Sequence, residues 1–186
     1  MAPGEDPDGL LIRTLQGTQD QRLFGKLIEK YRDFVYNFCF RFLGNEEDAA
    51  DCSQEVFIRI FQSVGSFCFK SRFSTWLYRL TLNTCIEMAR SKKRRGIRLP
   101  LEEIAAPFGD SPAGLLERKE VNEAFHSALE RLNLIQRSMV IMRDLEGLTY
   151  EEISTVTGKK PGTVRSTLAR ARLRIAYKLK EYHDET

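Results

Sequence analysis

Thr149-Tyr-Glu-Glu152-Ile-Ser-Thr-Val-Thr-Gly158-Lys159-Lys-Pro161-Gly-Thr-Val164-Arg165-Ser166-Thr-Leu168-Ala-Arg170-Ala-Arg172-Leu-Arg174 carries the strongest structural signal in this 186-residue chain. Thr149 and Glu152 have the spacing of a capping box, in which each side chain satisfies a free amide of a helix start. Ile153 and Val156 give that short helix one apolar side, and Gly158 stops it. Pro161 suits the first turn of a second helix, because its φ is fixed and its missing N–H has no helical partner there. Val164, Leu168, Ala171 and Ile175 recur at i, i+4, i+7 and i+11, one buried stripe. Ser166, Ala169 and Arg170 fall opposite it, flanked by Arg165 and Arg172. Residues 159–180 hold eight Lys or Arg and no acid. Two short helices, a tight turn and a cationic outer face form a helix-turn-helix built for a DNA major groove. An amphipathic helix with a solvated basic face would account for the charge, but not for box, glycine, proline and charge in register.

The rest of the composition sets limits. Net charge is +3, so basicity acts by position: residues 90–98 carry six basic side chains and no acid, whereas 45–55 carry five acids and no base. No apolar run reaches the roughly 18 residues a membrane span needs. Glu5, Asp6 and Asp8 stand where a signal peptide would be positive, so the expected compartment is the cytoplasm. Cys39, Cys52, Cys68 and Cys85 lack metal-ligand spacing and read as reduced thiols, so no metal or other cofactor is expected.

Working towards the N-terminus, residues 96–114 are rich in Gly and Pro and read as a linker between two helical domains, 10–95 and 115–182. In the second, Val121, Phe125, Leu129 and Leu132 mark one helix and Met139, Val140 and Met142 another that ends near Gly147. In the first, residues 1–9 read as mobile and a short helix runs from Leu10 to Gly17. Thr18 with Gln21 reads as a capping box opening a long helix to Gly44. Asn45 caps the next helix, with Ala49, Cys52, Val56, Phe57, Ile60 and Phe61 inward and Asp48, Asp51, Gln54 and Glu55 outward. Ser74 opens a helix through Trp76 and Leu77 that runs out in Arg90-Ser-Lys-Lys-Arg-Arg95. The loop before it, with Phe67, Phe69, Lys70, Arg72 and Phe73, is aromatic and basic, a composition that stacks on unpaired bases. Core filling is the competing explanation for Phe67 and Phe73, and the preferred one for Trp76. Strand alternation, a phosphate loop and a nucleophile–base pair are all absent from the sequence. The expectation is an all-α, two-domain chain that is not an enzyme.

Three motifs in order resemble the extracytoplasmic-function sigma factors of bacterial RNA polymerase. They are Asp48-Ala-Ala-Asp51-Cys-Ser-Gln54-Glu55-Val-Phe57, Phe73-Ser-Thr-Trp76-Leu77-Tyr-Arg79, and Asp144-Leu-Glu-Gly147-Leu-Thr-Tyr-Glu151-Glu152-Ile153 leading to Gly162-Thr163-Val164-Arg165-Ser166. The resemblance implies a first domain that docks on the polymerase β′ clamp helices through Asp48, Asp51, Gln54 and Glu55. It implies that residues 67–73, with Asn83, Arg90 and Lys93, capture and melt the −10 element of promoter DNA. Lys159, Arg165, Ser166, Ala169, Arg170 and Arg172 would read the −35 element, the second domain would touch the β flap, and an anti-sigma factor would be a further partner. The chain departs from the pattern at Cys52 (commonly Leu), Glu87 (commonly Asp), Asn133 (commonly Pro) and the small Ala169. A dimeric helix-turn-helix repressor or activator is the alternative, and a metal-dependent nuclease a remoter one.

Overall fold

The computed structural model describes residues 6–18, 20–96, 125 and 127–185, with side chains to 180. All regular elements among them are helical: α1 (Gly9–Thr18), α2 (Gln21–Leu43), α3 (Glu46–Ser63), α4 (Phe73–Arg94), α5 (Leu134–Val140), α6 (Tyr150–Thr157) and α7 (Pro161–Glu185). A 3-10 turn, Val64–Ser66, follows α3, and a π turn, Ile141–Leu145, extends α5. The linker read at 96–114 lies outside the described residues beyond Gly96, as does Val121.

Helices α2, α3 and α4 form one packing unit, joined through Leu27, Val35, Phe38, Phe42, Val56, Ile60, Leu77 and Leu82, all buried. Gly44 ends α2 in the left-handed conformation (φ 85°), donating its N–H to Phe40 O at 2.8 Å. Asn45 then caps α3, its side chain accepting from Asp48 N at 2.8 Å. The second unit packs α5 and α6 against α7. Asn133, where the family commonly has proline, caps α5 in a complete box with Gln136. The substitution therefore keeps a helix start by other means.

Several sequence expectations change. Asp20, not Thr18, caps α2, accepting from Arg22 N at 2.7 Å. Thr18 is the last residue of α1 and its hydroxyl donates to Thr14 O at 2.9 Å, so it is spent one turn back. Helix α4 begins at Phe73 rather than Ser74; Arg72 at the cap position supplies no side-chain bond, and Asp6 accepts from Phe73 N at 2.5 Å. Asp6 and Asp8 are thus structural rather than mobile, Asp8 being buried and bonded to Lys30 and Tyr31, while residues 1–5 of the stretch read as mobile lie outside the described residues. Phe61, placed in the core by periodicity, is 50% exposed, with its ring edge on Phe24 at 5.0 Å.

The two units share one hydrophobic core cluster, and a set of polar bonds crosses the seam between them. Arg137, 5% exposed, donates to Phe42 O at 2.7 Å across the seam and to Leu129 O at 3.0 Å within its own unit. Glu146 accepts from Arg41 and from Tyr78 Oη, the latter at 3.5 Å, and Arg79 donates to Thr155 O. Glu130 lies in the same seam, its Oε1 buried without a hydrogen-bond partner among the described residues and 3.7 Å from a Cβ built on Gly44. Burial raises the Glu130 carboxyl above its ordinary value, against the pull of Arg137 and Arg131. A carboxyl raised by folding holds its proton more tightly in the native state. Its contribution is therefore favourable below the ordinary glutamate value of about 4.3 and is lost as pH rises through the raised one. Urea midpoints measured across that window are expected to fall less for Glu130→Gln than for the parent.

Leu168 anchors the second unit at 1% exposure. Leu168→Ala is expected to cost about 2–5 kcal/mol, as emptied core leucine sites do. A urea melt followed by circular dichroism should show the loss, and a parental midpoint would place Leu168 outside the core.

Candidate nucleic-acid interface

The helix-turn-helix forms from the local signals that announced it. Thr149 Oγ1 accepts from Glu152 N at 3.2 Å while Glu152 Oε2 accepts from Thr149 N at 2.8 Å. Gly158, at φ 69°, closes α6 by donating to Ser154 O at 2.9 Å. Ser154 Oγ donates to Lys159 O at 2.6 Å, fixing the turn, and Lys160 O takes the first amides of α7, from Thr163 at 2.9 Å and Val164 at 3.0 Å. Val164, Leu168, Ala171 and Ile175 are buried, which turns the opposite side outward.

On that outer side Lys159, Arg165, Ser166, Ala169 and Arg170 are all exposed. Arg170 Nε donates to Ser166 O at 3.2 Å and Ser166 Oγ to Thr163 O at 3.1 Å, so both are pre-positioned along the helix. The Arg165 guanidinium stands 5.6 Å from the Tyr150 ring centre, with Arg143 at 4.9 Å from the same ring. Arg172 differs. It makes a two-point pair with Asp144, through Nε at 3.1 Å and through Nη2, and that bond raises its pKa further. Its guanidinium ties α7 to the π turn instead of standing free for phosphate.

The loop before α4 divides in the same way. Phe67 and Phe73 are buried and their rings pack at 5.7 Å, with Trp76 5.5 Å from Phe67 and 5.4 Å from Phe73. Stacking on bases is thereby closed to these two rings; they are the floor that shapes the loop. Gln16 Nε2 holds the loop from below, donating to Val64 O and Phe67 O, each at 2.8 Å. Phe69 is half-buried at φ 54°, a conformation non-glycine residues rarely take, with Arg13 4.2 Å over its ring. Lys70 and Arg72 are exposed on the rim, and Asn83, Arg90 and Lys93 lie exposed along α4. Arg79, which the sequence reading left out of the site, shares their side of α4, one turn before Asn83 and three before Arg90.

The acidic face of α3 is smaller than the sequence indicates. Asp48 is 3% exposed, bonded to Asn45 Nδ2 at 2.6 Å and paired with Lys92 of α4, so it is a structural clasp and not a docking residue. Its distant partner decides this. Asp51 and Gln54 are exposed; Glu55 is half-buried and accepts from Arg59 at 2.7 Å, and Arg59 reaches Glu87 at 2.7 Å. Ile58, 45% exposed, and Phe61 continue the outer stripe, giving it an apolar centre that no charge pattern revealed.

Two family models match in the same order as the two units: Sigma-70 region 2 over residues 27–95 and Sigma-70 region 4 over residues 122–175. The ECF RNA polymerase sigma factor SigE of Mycolicibacterium smegmatis is 34% identical over 187 residues, spanning 99% of this chain and 72% of that protein. The chain belongs to the ECF family of RNA polymerase sigma factors. The RNA polymerase sigma-H factor of Pseudomonas aeruginosa is 33% identical, covering 92% of this chain and 93% of that one. The sigma factor RpoE of Bartonella quintana, solved with the anti-sigma factor NepR, shares the fold at TM-score 0.67 and 22% identity, over 84% of this chain and 96% of that one. As an ECF sigma factor the chain directs core polymerase to promoters, which sets aside the stand-alone regulator. Among the described residues no helix is long and apolar enough to cross a membrane.

Proposed function

We propose that the chain acts in the cytoplasm, without catalysis of its own, as three functional parts: domain 10–95 for clamp docking and −10 opening, linker 96–114, and domain 115–182 for −35 recognition. The docking surface is the α3 stripe of Asp51, Gln54, Ile58 and Phe61, rimmed by the Glu55–Arg59 pair and facing the β′ clamp helices. An exposed apolar centre with an acidic rim is the anatomy of a protein interface, and it suits a basic partner better than phosphate. Lys70, Arg72, Asn83, Arg90 and Lys93 bind the opened −10 strand, around a loop whose shape is set by Phe67 and Phe73. Arg165, Ser166, Ala169 and Arg170 read the −35 element, with Lys159 on phosphate. The second domain touches the β flap, and an anti-sigma factor competes for these same surfaces.

The observation that carries this reading is the α7 outer face: exposed Ser166, Ala169 and Arg170 opposite the buried Val164–Leu168 stripe, with exposed Arg165 on its flank. Arg165→Ala is expected to relax base preference at one −35 position by about 1–3 kcal/mol, the value of a good base-edge contact, with the fold intact. Run-off transcription on matched and substituted −35 sequences, with core polymerase present, measures it. Equal loss on every −35 sequence would instead make Arg165 a phosphate contact.

A further inference from the structure

We propose that Cys39, Cys52 and Cys85 form a buried three-thiol site for a soft, thiol-seeking ion that accepts three sulfur ligands, of the trivalent arsenic class. The three residues come from α2, α3 and α4, one from each helix of the first unit, and only the fold brings them together. Their sulfur atoms lie within 4.8 Å of one another, with Cys52 to Cys85 at 3.6 Å and Cys85 to Cys39 at 3.7 Å. Sulfur ligands about 2.3 Å from a common ion stand at such separations. All three are fully buried, whereas Cys68 is exposed.

The donor set decides the class of ion. Among the described residues the group contains sulfur alone, with no histidine or carboxylate within its span. Structural zinc completes a tetrahedron with a fourth ligand, and among the described residues the group has three. Charge points the same way. A divalent ion with three thiolates leaves net charge in an apolar core, a costly placement, whereas a trivalent one leaves none. Arsenous acid reacts without redox change: three As–OH bonds break, three As–S bonds form, and each thiol proton leaves with a hydroxide as water. Burial makes uptake wait on local opening of the helices, so it is expected to be slow and to quicken with temperature.

The test titrates reduced full-length protein with arsenite, copper(I) or zinc(II) without oxygen, reading stoichiometry by native mass spectrometry. One equivalent of arsenic and a raised melting midpoint are expected, unchanged in Cys68→Ala and at least tenfold weaker in each of Cys39→Ala, Cys52→Ala and Cys85→Ala. X-ray absorption at the arsenic edge, which needs no variant, should count three sulfur neighbours and no oxygen. Absence of binding, persistence in the three variants, dependence on Cys68, or an oxygen neighbour would each overturn the site. Zinc binding tighter than arsenite, or copper(I) binding tighter than arsenite, would overturn its assignment to a trivalent ion.

Discussion

Asp51→Arg combined with Gln54→Ala is expected to abolish promoter-directed transcription with core polymerase while leaving the fold unchanged. Both side chains are exposed and sit beside Ile58 and Phe61 on the outer stripe of α3. Among the described residues neither makes a side-chain hydrogen bond or ion pair to another helix, and exposed substitutions of that kind usually stay within about 0.5 kcal/mol. Reversing a charge in a docking face acts twice, slowing encounter and placing like charges together in the bound state. Run-off transcription and competition for core polymerase against the parent protein measure the effect. A merely solvated acidic face predicts parental activity, and that result would move the docking surface elsewhere.

Asp48→Ala, three residues earlier on the same helix, is expected to fail in the opposite way, by loss of stability. It removes the carboxylate that pairs with Lys92 and accepts from Asn45 Nδ2. Breaking a buried pair from one side costs about 3–5 kcal/mol where both charges are sealed. Lys92 keeps 24% of its side-chain surface, so about 2–3 kcal/mol is the expected size. Chemical denaturation measures it. Any transcriptional defect of Asp48→Ala should be restored at lower temperature, whereas that of the Asp51/Gln54 double variant should not.

These two aspartates show what the sequence could carry. The helix starts at Asn45, Thr149 and Pro161, the left-handed Gly44 and Gly158, and the Val164–Ile175 stripe are local, each decided by residues within two turns, and they were legible. Asp48 was not, because its role is set by Lys92, 44 positions away. Phe73 took its helix-start bond from Asp6, 67 positions away, so no motif near Ser74 could have shown it. Cys39, Cys52 and Cys85 have no ligand spacing along the chain and converge only when three helices pack. Phe61 fits the apolar period of α3 and still lies outside, since the period gives a side of the helix but not where the neighbouring helix stops. Its exposure beside Ile58 is the part of the candidate surface that sequence patterning hid.

The bonds across the seam between the two units share one property. They end on groups that solvent can replace: the Phe42 carbonyl under Arg137, Glu146 under Arg41 and Tyr78, the Thr155 carbonyl under Arg79. Parting the units lets water take up each of these partners, so the broken bonds are exchanged and not lost. Glu130 gains outright, since its buried oxygen becomes hydrated. Opening this joint therefore exchanges its polar bonds at little loss, and the cost falls on the apolar surface of the one hydrophobic cluster that both units share. Parting the seam also releases Arg79 from the Thr155 carbonyl, leaving its charge on the same side of α4 as the exposed Asn83 and Arg90.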